Sequence, residues 1–199
     1  MSILNFQKPD KILLQKATDF HGQFEFKPLE PGFGQTIGNS LRRILLSSLE
    51  GYAISAIRIA GVDHEFSSIP GVVEDVVDII LNIKQIRLKS AVKGDKATEH
   101  QIYITISGQD EFRAKDIESR TNMFKVMNPE LLICKMEPSV NLELEMTITK
   151  GRGYVPAEEN MPENAPIGVI PVDAIYTPLK KVSYHVSNTR VGQRTDYEK

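Results

Sequence analysis

Apolar and polar residues alternate with period two along much of this chain, and that pattern places one side of a strand in a core and the other toward solvent. The cleanest case is "VNLELEMTIT", where Val140, Leu142, Leu144, Met146 and Ile148 fall on one side. Gly22, Phe24 and Phe26 oppose His21, Gln23 and Glu25, and Ile86, Leu88, Ser90 and Val92 oppose Arg87, Lys89 and Ala91. Beyond the turn-like "KGDK", Ile102, Ile104 and Ile106 oppose Tyr103 and Thr105, so residues 85 to 107 are expected to form a hairpin. Val182, Tyr184 and Val186 repeat the alternation near the end.

Two segments change period and predict helices. In "GVVEDVVDIILNIK", from Gly71 to Lys84, the residues Val72, Val76, Ile79, Ile80 and Ile83 form a stripe at helical spacing. Glu74 and Asp75 would lie in its first turn and Lys84 in its last, which suits the helix dipole, and Pro70 marks the boundary. In "PGFGQTIGNSLRRILLSSLEG", residues 31 to 51, a helical wheel puts Ile37, Leu41, Ile44, Leu45 and Ser48 on one expected core face, with Gly51 as the stop. Leu46 falls opposite, framed by Arg42, Arg43 and Asn39. An apolar centre with an arginine rim is what a protein interface enriches. The stretch "EENMPENAP", residues 158 to 166, lacks apolar periodicity and is expected to be a loop. The charged end "GQRTDYEK" is expected to lack a closing element.

Composition narrows the chemistry. The 199 residues are 41% hydrophobic and 25% charged, with 11 prolines, 13 glycines and a formal net charge of −2. That is ordinary for a soluble globular chain of one or two domains and gives no global electrostatic reason to bind nucleic acid. No stretch approaches the roughly 18 uncharged apolar residues of a membrane span. Cys134 stands alone, expected as a small core residue in a reducing, cytosolic compartment.

Catalytic patterns fail on spacing. Gly32, Gly34 and Gly38 give G-x-G-x-x-x-G, one residue longer than the dinucleotide fingerprint, and Asn39 stands where a nucleoside-triphosphate loop needs lysine. His21, His64, His100 and His185 are scattered, with no pair spaced to share a metal on one helix face. Glu143 and Glu145 lie on the polar side of a strand. Lys150 and Arg152, among the glycines of "KGRGYVPAEEN", could cradle an anion or a partner's carboxylate, or could simply belong to a basic loop.

Four long stretches carry a family resemblance. "LEPGFGQTIGNSLRRILLSSLEGYAI", "GVDHEFSSIPGVVEDVVDIILNIK", "GRGYVPAEEN" and "PIGVIPVDAIYTPLKKVSYHVSNTRVGQRTDYEK" resemble, in this order, the N-terminal part of bacterial RNA polymerase alpha subunits. The resemblance implies a two-domain α+β architecture: a discontinuous α/β dimerisation domain, residues 1–51 and 173–199, with a mainly β insert domain at 52–172. It further implies an alpha homodimer that scaffolds the beta and beta-prime subunits, with no catalytic residue or cofactor of its own. The magnesium and zinc of the enzyme would belong to other subunits.

Residue by residue, Asn39, Arg42, Arg43, Leu46 and Ser47 match the beta-subunit interface, and Arg43 matches its most important arginine. Lys84, Arg152, Val172 and Asp173 match regions facing beta or beta-prime, and Phe33, Ile37 and Leu41 match the dimer interface. In the family the dimerisation domain continues past "QRTDYEK" into a further strand and a long helix, followed by a separate DNA-binding domain. The chain is therefore expected to be truncated, cytoplasmic and nucleoid-associated as part of the enzyme, and to lack direct DNA binding. The alternatives weighed against this are a phosphate-ligand-binding enzyme using Gly32 to Asn39 and a stand-alone dimeric module with another partner.

Overall fold

The computed structural model describes residues 8–9, 11–92, 97–161 and 165–199. The chain is mixed α+β, with strands predominating. In order come β1 (Lys11–Thr18), β2 (His21–Lys27), α1 (Phe33–Ser47), β3 (Glu50–Ile59), α2 (Val76–Ile83), β4 (Leu88–Ser90), β5 (Glu99–Ser107), β6 (Glu111–Arg113) and α3 (Ala114–Arg120). Then follow β7 (Phe124–Val126), β8 (Leu132–Lys135), β9 (Asn141–Arg152), β10 (Tyr154–Val155), α4 (Ala157–Asn160), β11 (Val169–Pro171), β12 (Ala174–Ile175), β13 (Asn188–Val191) and β14 (Arg194–Glu198). They form two compact units, Met1–Leu46 with Lys181–Lys199, and Ser47–Lys180.

The Ser47–Lys180 unit is built on a sheet of order β5-β9-β3-β4-β7, with β11 also pairing β3. The alternation in β9 does what it predicts: Leu142, Leu144, Met146 and Ile148 are buried, while Asn141 and Glu143 are exposed. Facing them in one core are Val76, Ile79 and Ile83 of α2, Ile117 of α3, and Ile133 and Cys134 of β8. Each such side chain contributes about 1.5–3 kcal/mol through removal from water. Burial, and secondarily Glu74, pushes the Cys134 thiol up to about 12, so it is an inert core residue.

Three sequence expectations are corrected in this unit. Residues 85 to 107 do not form a hairpin: β5 pairs with β9 along its whole length, whereas β4 pairs with β7 and meets β3 at Leu88. Alternation correctly put Ile86, Leu88 and Ile102 to Ile106 in the core, but it specifies a face and not a neighbour. The "KGDK" turn lies outside the described residues. The second helix starts at Val76, five residues after Gly71, because Asp75 caps it by accepting the Asp78 N–H at 2.9 Å. Gly71 sits at φ +80°, and the Glu74 carboxylate instead accepts from the Lys135 N–H at 2.6 Å.

Gly51 likewise is no helix stop. It lies inside β3, opposite Gly151, and a Cβ there would come within 1.8 Å of the Tyr176 carbonyl oxygen. Because β3 is paired with β9 from Glu50 onward, and Ala174 and Tyr176 pack with Ala53, the compact units divide at 46/47 and 180/181. Those positions lie several residues outside the 51/52 and 172/173 boundaries read from sequence.

The smaller unit holds α1 and two hairpins, β1–β2 and β13–β14. The first strand of β1–β2 was not expected, and the tail does close: Glu198 and Leu29 exchange both backbone hydrogen bonds, at 2.9 and 2.8 Å. Residues 182 to 186 alternate in sequence but pair in no ladder. At 158 to 166 the expected loop begins with α4, and 162–164 lie outside the described residues. No helix among the described residues is long and apolar enough to cross a membrane.

Candidate subunit interface

The glycines of "PGFGQTIGNS" explain how α1 is seated. Gly32, at φ +86°, makes the turn into the helix. The N–H groups of Gly32 and Gly34 both donate to the Glu198 carboxylate, at 2.9 and 2.7 Å. The anion that satisfies this helix start is thus a side chain of the same chain, which leaves a phosphate without those donors. Gly34 and Gly38, four residues apart, share a face on which Val186 and the Tyr184 ring lie so close that a Cβ would meet them at 2.8 and 2.4 Å. Gln35 ties the same contact by donating to the Tyr184 hydroxyl at 2.8 Å.

That seating corrects the expected core stripe. The packed side of α1 is marked by its smallest residues, so Gly34 is its one buried residue, Ile37, Leu41 and Leu45 are half-buried flanks, and Ile44 remains 54% exposed. Leu46, expected to face solvent, is half-buried. Phe33, Ile37, Leu41 and Ile44 form an apolar strip along one side, while Asn39, Arg42 and Arg43 lie exposed around Leu46 on another, with exposed Ser47 ending the helix. The two predicted groups on α1 therefore occupy different faces.

Sequence reading missed a second apolar surface in this unit. The β1–β2 register sets Ile12 opposite Phe26 and Leu14 opposite Phe24 on one face of the hairpin. Ile12, Leu14 and Phe24 are 61%, 57% and 60% exposed. Their signal was present as Ile12 and Leu14 in "KILLQK", but Leu13 between them and the bulge between Leu14 and Lys16 obscure the alternation.

In the Ser47–Lys180 unit the structure joins Lys84 to Asp173, whose side chains approach at 3.5 Å. Asp173 also accepts from the Ala157 N–H at 2.9 Å. The Ala157 bond foremost, with Tyr154 and Lys84, holds its carboxyl below the usual carboxylate range. Val172 beside it is fully buried in the core, and its carbonyl accepts from Asn160 at 2.8 Å.

Arg152 points to another carboxylate. It and Lys150 both bind Glu50, at 2.7 and 2.8 Å, and the Arg152 bond, followed by Lys150, lowers the Glu50 carboxyl to about 2. Lys150 and Arg152 thus lie in β9 rather than in a loop, and they cradle a carboxylate of their own chain. Glu50 was not singled out from sequence because its position opposite Arg152 emerges only from the β3–β9 register. Among the described residues no three His, Cys, Asp or Glu side chains are grouped to hold a metal.

Comparison with known proteins agrees across the chain. A family model described as "RNA polymerase Rpb3/RpoA insert domain" matches residues 57–177, more than half of the sequence. Proteins named DNA-directed RNA polymerase subunit alpha from Cytophaga hutchinsonii, Flavobacterium psychrophilum and Bacteroides fragilis are 59%, 57% and 56% identical over 199 residues, all of this chain. The chain spans 60% of the length of each of these curated relatives. It belongs to the RNA polymerase alpha family and carries that family's Rpb3/RpoA insert domain.

Proposed function

We propose that this chain is the assembly portion of an RNA polymerase alpha subunit, a scaffold that dimerises and holds the beta and beta-prime subunits for DNA-templated transcription. In this reading the discontinuous unit is the dimerisation domain and Ser47–Lys180 contains the insert. The single observation that carries the assembly role is the exposure of large apolar side chains in the smaller unit, Ile12, Leu14 and Phe24 on the hairpin and Ile44 on α1. Surfaces of that kind mark protein contacts. Phe33, Ile37 and Leu41 serve the second alpha copy, and Asn39, Arg42, Arg43, Leu46 and Ser47 serve beta. An arginine's planar fork suits carboxylates and carbonyls on such a partner. Catalytic chemistry and its metals lie in the large subunits, and the protein works in the cytoplasm at the nucleoid.

Co-expression of the full-length subunit with beta and beta-prime, followed by sizing, tests this. Arg43→Ala should weaken beta capture by about 2 kcal/mol or more, while the unfolding midpoint and the dimer stay as in the wild type. Unchanged capture would remove Arg43 from the interface; a wild-type subunit that captures neither large subunit would overturn the reading as a whole.

A further inference from the structure

The main sheet of the Ser47–Lys180 unit ends in two unlike edges. At one, β7 is three residues long, carries the exposed Lys125, and has its Val126 N–H taken by the Glu118 carboxylate at 3.0 Å. Short length, a lysine and a covering group are devices that close an edge to further strands. At the other, β5 runs for nine residues, pairs with β9 without a bulge, and contains no lysine, arginine or proline; Glu99, at its start, is its one acidic residue.

Register fixes which way the backbone of β5 points. The Lys150 N–H donates to the Thr98 carbonyl at 2.9 Å, and this pair continues the β5–β9 register, so the even-numbered residues of β5 bond to β9. The N–H and C=O groups of Gln101, Tyr103 and Thr105 therefore point away from the sheet. Among the described residues these groups have no protein partner, which leaves them to water. Their side chains are exposed as well, Tyr103 by 68%.

We infer that this edge takes an added strand, and that the strand is β5 of a second copy of the chain, antiparallel across a two-fold axis at Tyr103. In that register every outward-facing residue meets another: Tyr103 meets its own copy, Gln101 meets Thr105, and Glu99 meets Ser107. Two phenol rings face each other at the axis, an amide faces a hydroxyl on either side, and the strand's carboxylate faces a hydroxyl, so no like charges are opposed. Strand addition needs an extended, regular partner of matching length, and β5 is itself one. The inference goes beyond the scaffold reading and does not rest on it: it gives the chain a second self-contact, carried by a different unit from Ile37 and Leu41.

The test is sedimentation of the full-length subunit over a concentration series, since one strand pair is a small interface with Kd on the order of 100 µM. Two double variants change the same exposed positions and differ only in what the register opposes. Gln101→Lys with Thr105→Glu sets an ammonium against a carboxylate at both pairs and should associate as wild type does, to within about two-fold, or more tightly. Gln101→Lys with Thr105→Lys sets ammonium against ammonium and should associate at least about ten-fold more weakly. Amide exchange read residue by residue gives a second measurement. The N–H groups of Gln101, Tyr103 and Thr105 should become protected as concentration rises, while those of Ile102 and Ile104, bonded to β9 in every copy, stay constant.

Equal association by the two double variants, or outward amides whose exchange ignores concentration, would overturn the inference. A wild-type subunit whose mass does not grow with concentration would overturn it too, and would leave the edge to a strand of another protein. Failure of the subunit to capture beta and beta-prime overturns the scaffold reading instead and leaves the comparison of the two double variants intact.

Discussion

The two units of this chain meet the hydrophobic effect in opposite ways. Ser47–Lys180 closes a core of its own, with Phe112, Ile117, Ile133, Met146 and Ile148 all out of solvent. Among the described residues of Met1–Leu46 and Lys181–Lys199, Leu29 is the one large hydrophobic side chain that is buried. That unit is held instead by polar and close-approach devices: Glu198 on the start of α1, Tyr184 and Val186 against its glycines, and two hairpins. Small units rarely bury enough apolar surface to be stable alone, and this one turns much of what it has outward. One unit closes a core of its own; in the scaffold reading proposed above, a partner covers the apolar residues that the other leaves exposed.

The widest separation between the units should come from matched truncations. Ile148→Ala, in the β9 core, should cost about 2–5 kcal/mol in urea unfolding of the full-length subunit. Leu14→Ala, on the exposed hairpin face, should change monomer stability by less than about 0.5 kcal/mol and act on association instead. Equal monomer losses would erase the distinction.

Glycine substitutions give a smaller contrast. At Gly51 a Cβ meets the backbone oxygen of Tyr176, which β-pairing keeps in place, so Gly51→Ala should cost about 3 kcal/mol. At Gly38 it meets the Tyr184 ring, a side chain that can swing aside, and alanine favours helix by about 1 kcal/mol over glycine. Gly38→Ala should therefore cost about 1 kcal/mol net and break the Gln35–Tyr184 bond, visible as a shift of the Tyr184 ring resonances.

The smallest effect concerns Glu50. Its folded carboxyl is lowered to about 2 from an ordinary 4.5, so the stability it adds is present above pH 4.5 and is lost as pH falls toward 2. The stability difference between wild type and Glu50→Gln should shrink over that window. Added salt should shrink it at neutral pH, because the group is exposed. A difference independent of pH would mean that the ion pairs with Arg152 and Lys150 add nothing.

The same contrast governs what the sequence made legible. Where a core is self-contained, pattern and structure coincide: β9 and the buried stripe Val76, Ile79 and Ile83 were readable because burial imposes their periods. Pairing was not readable, since β5 and β4 each declare a buried face without declaring the neighbour at their edge. In the smaller unit the usual rule inverts. Ile44, Ile12, Leu14 and Phe24 carry the apolar pattern of a core but are exposed, while the packed side of α1 is marked by Gly34 and Gly38. Period distinguished strands from helices, whereas the mixed α+β class came from the family resemblance and agrees with the observed elements. Of the candidate residues, those on α1 stood out by their place on the wheel, whereas the partnership of Glu50 with Arg152 depends on the β3–β9 register.

The claim that one unit is self-sufficient and the other completed by a partner is tested most directly by hydrogen exchange on the full-length subunit across a range of protein concentrations. Association stabilises only what it covers, by mass action. Protection of α1 and of the β1–β2 hairpin should rise with concentration, while protection of β9 and α2 stays constant. Concentration-independent protection of α1 and the hairpin, at the level seen in β9, would contradict the account.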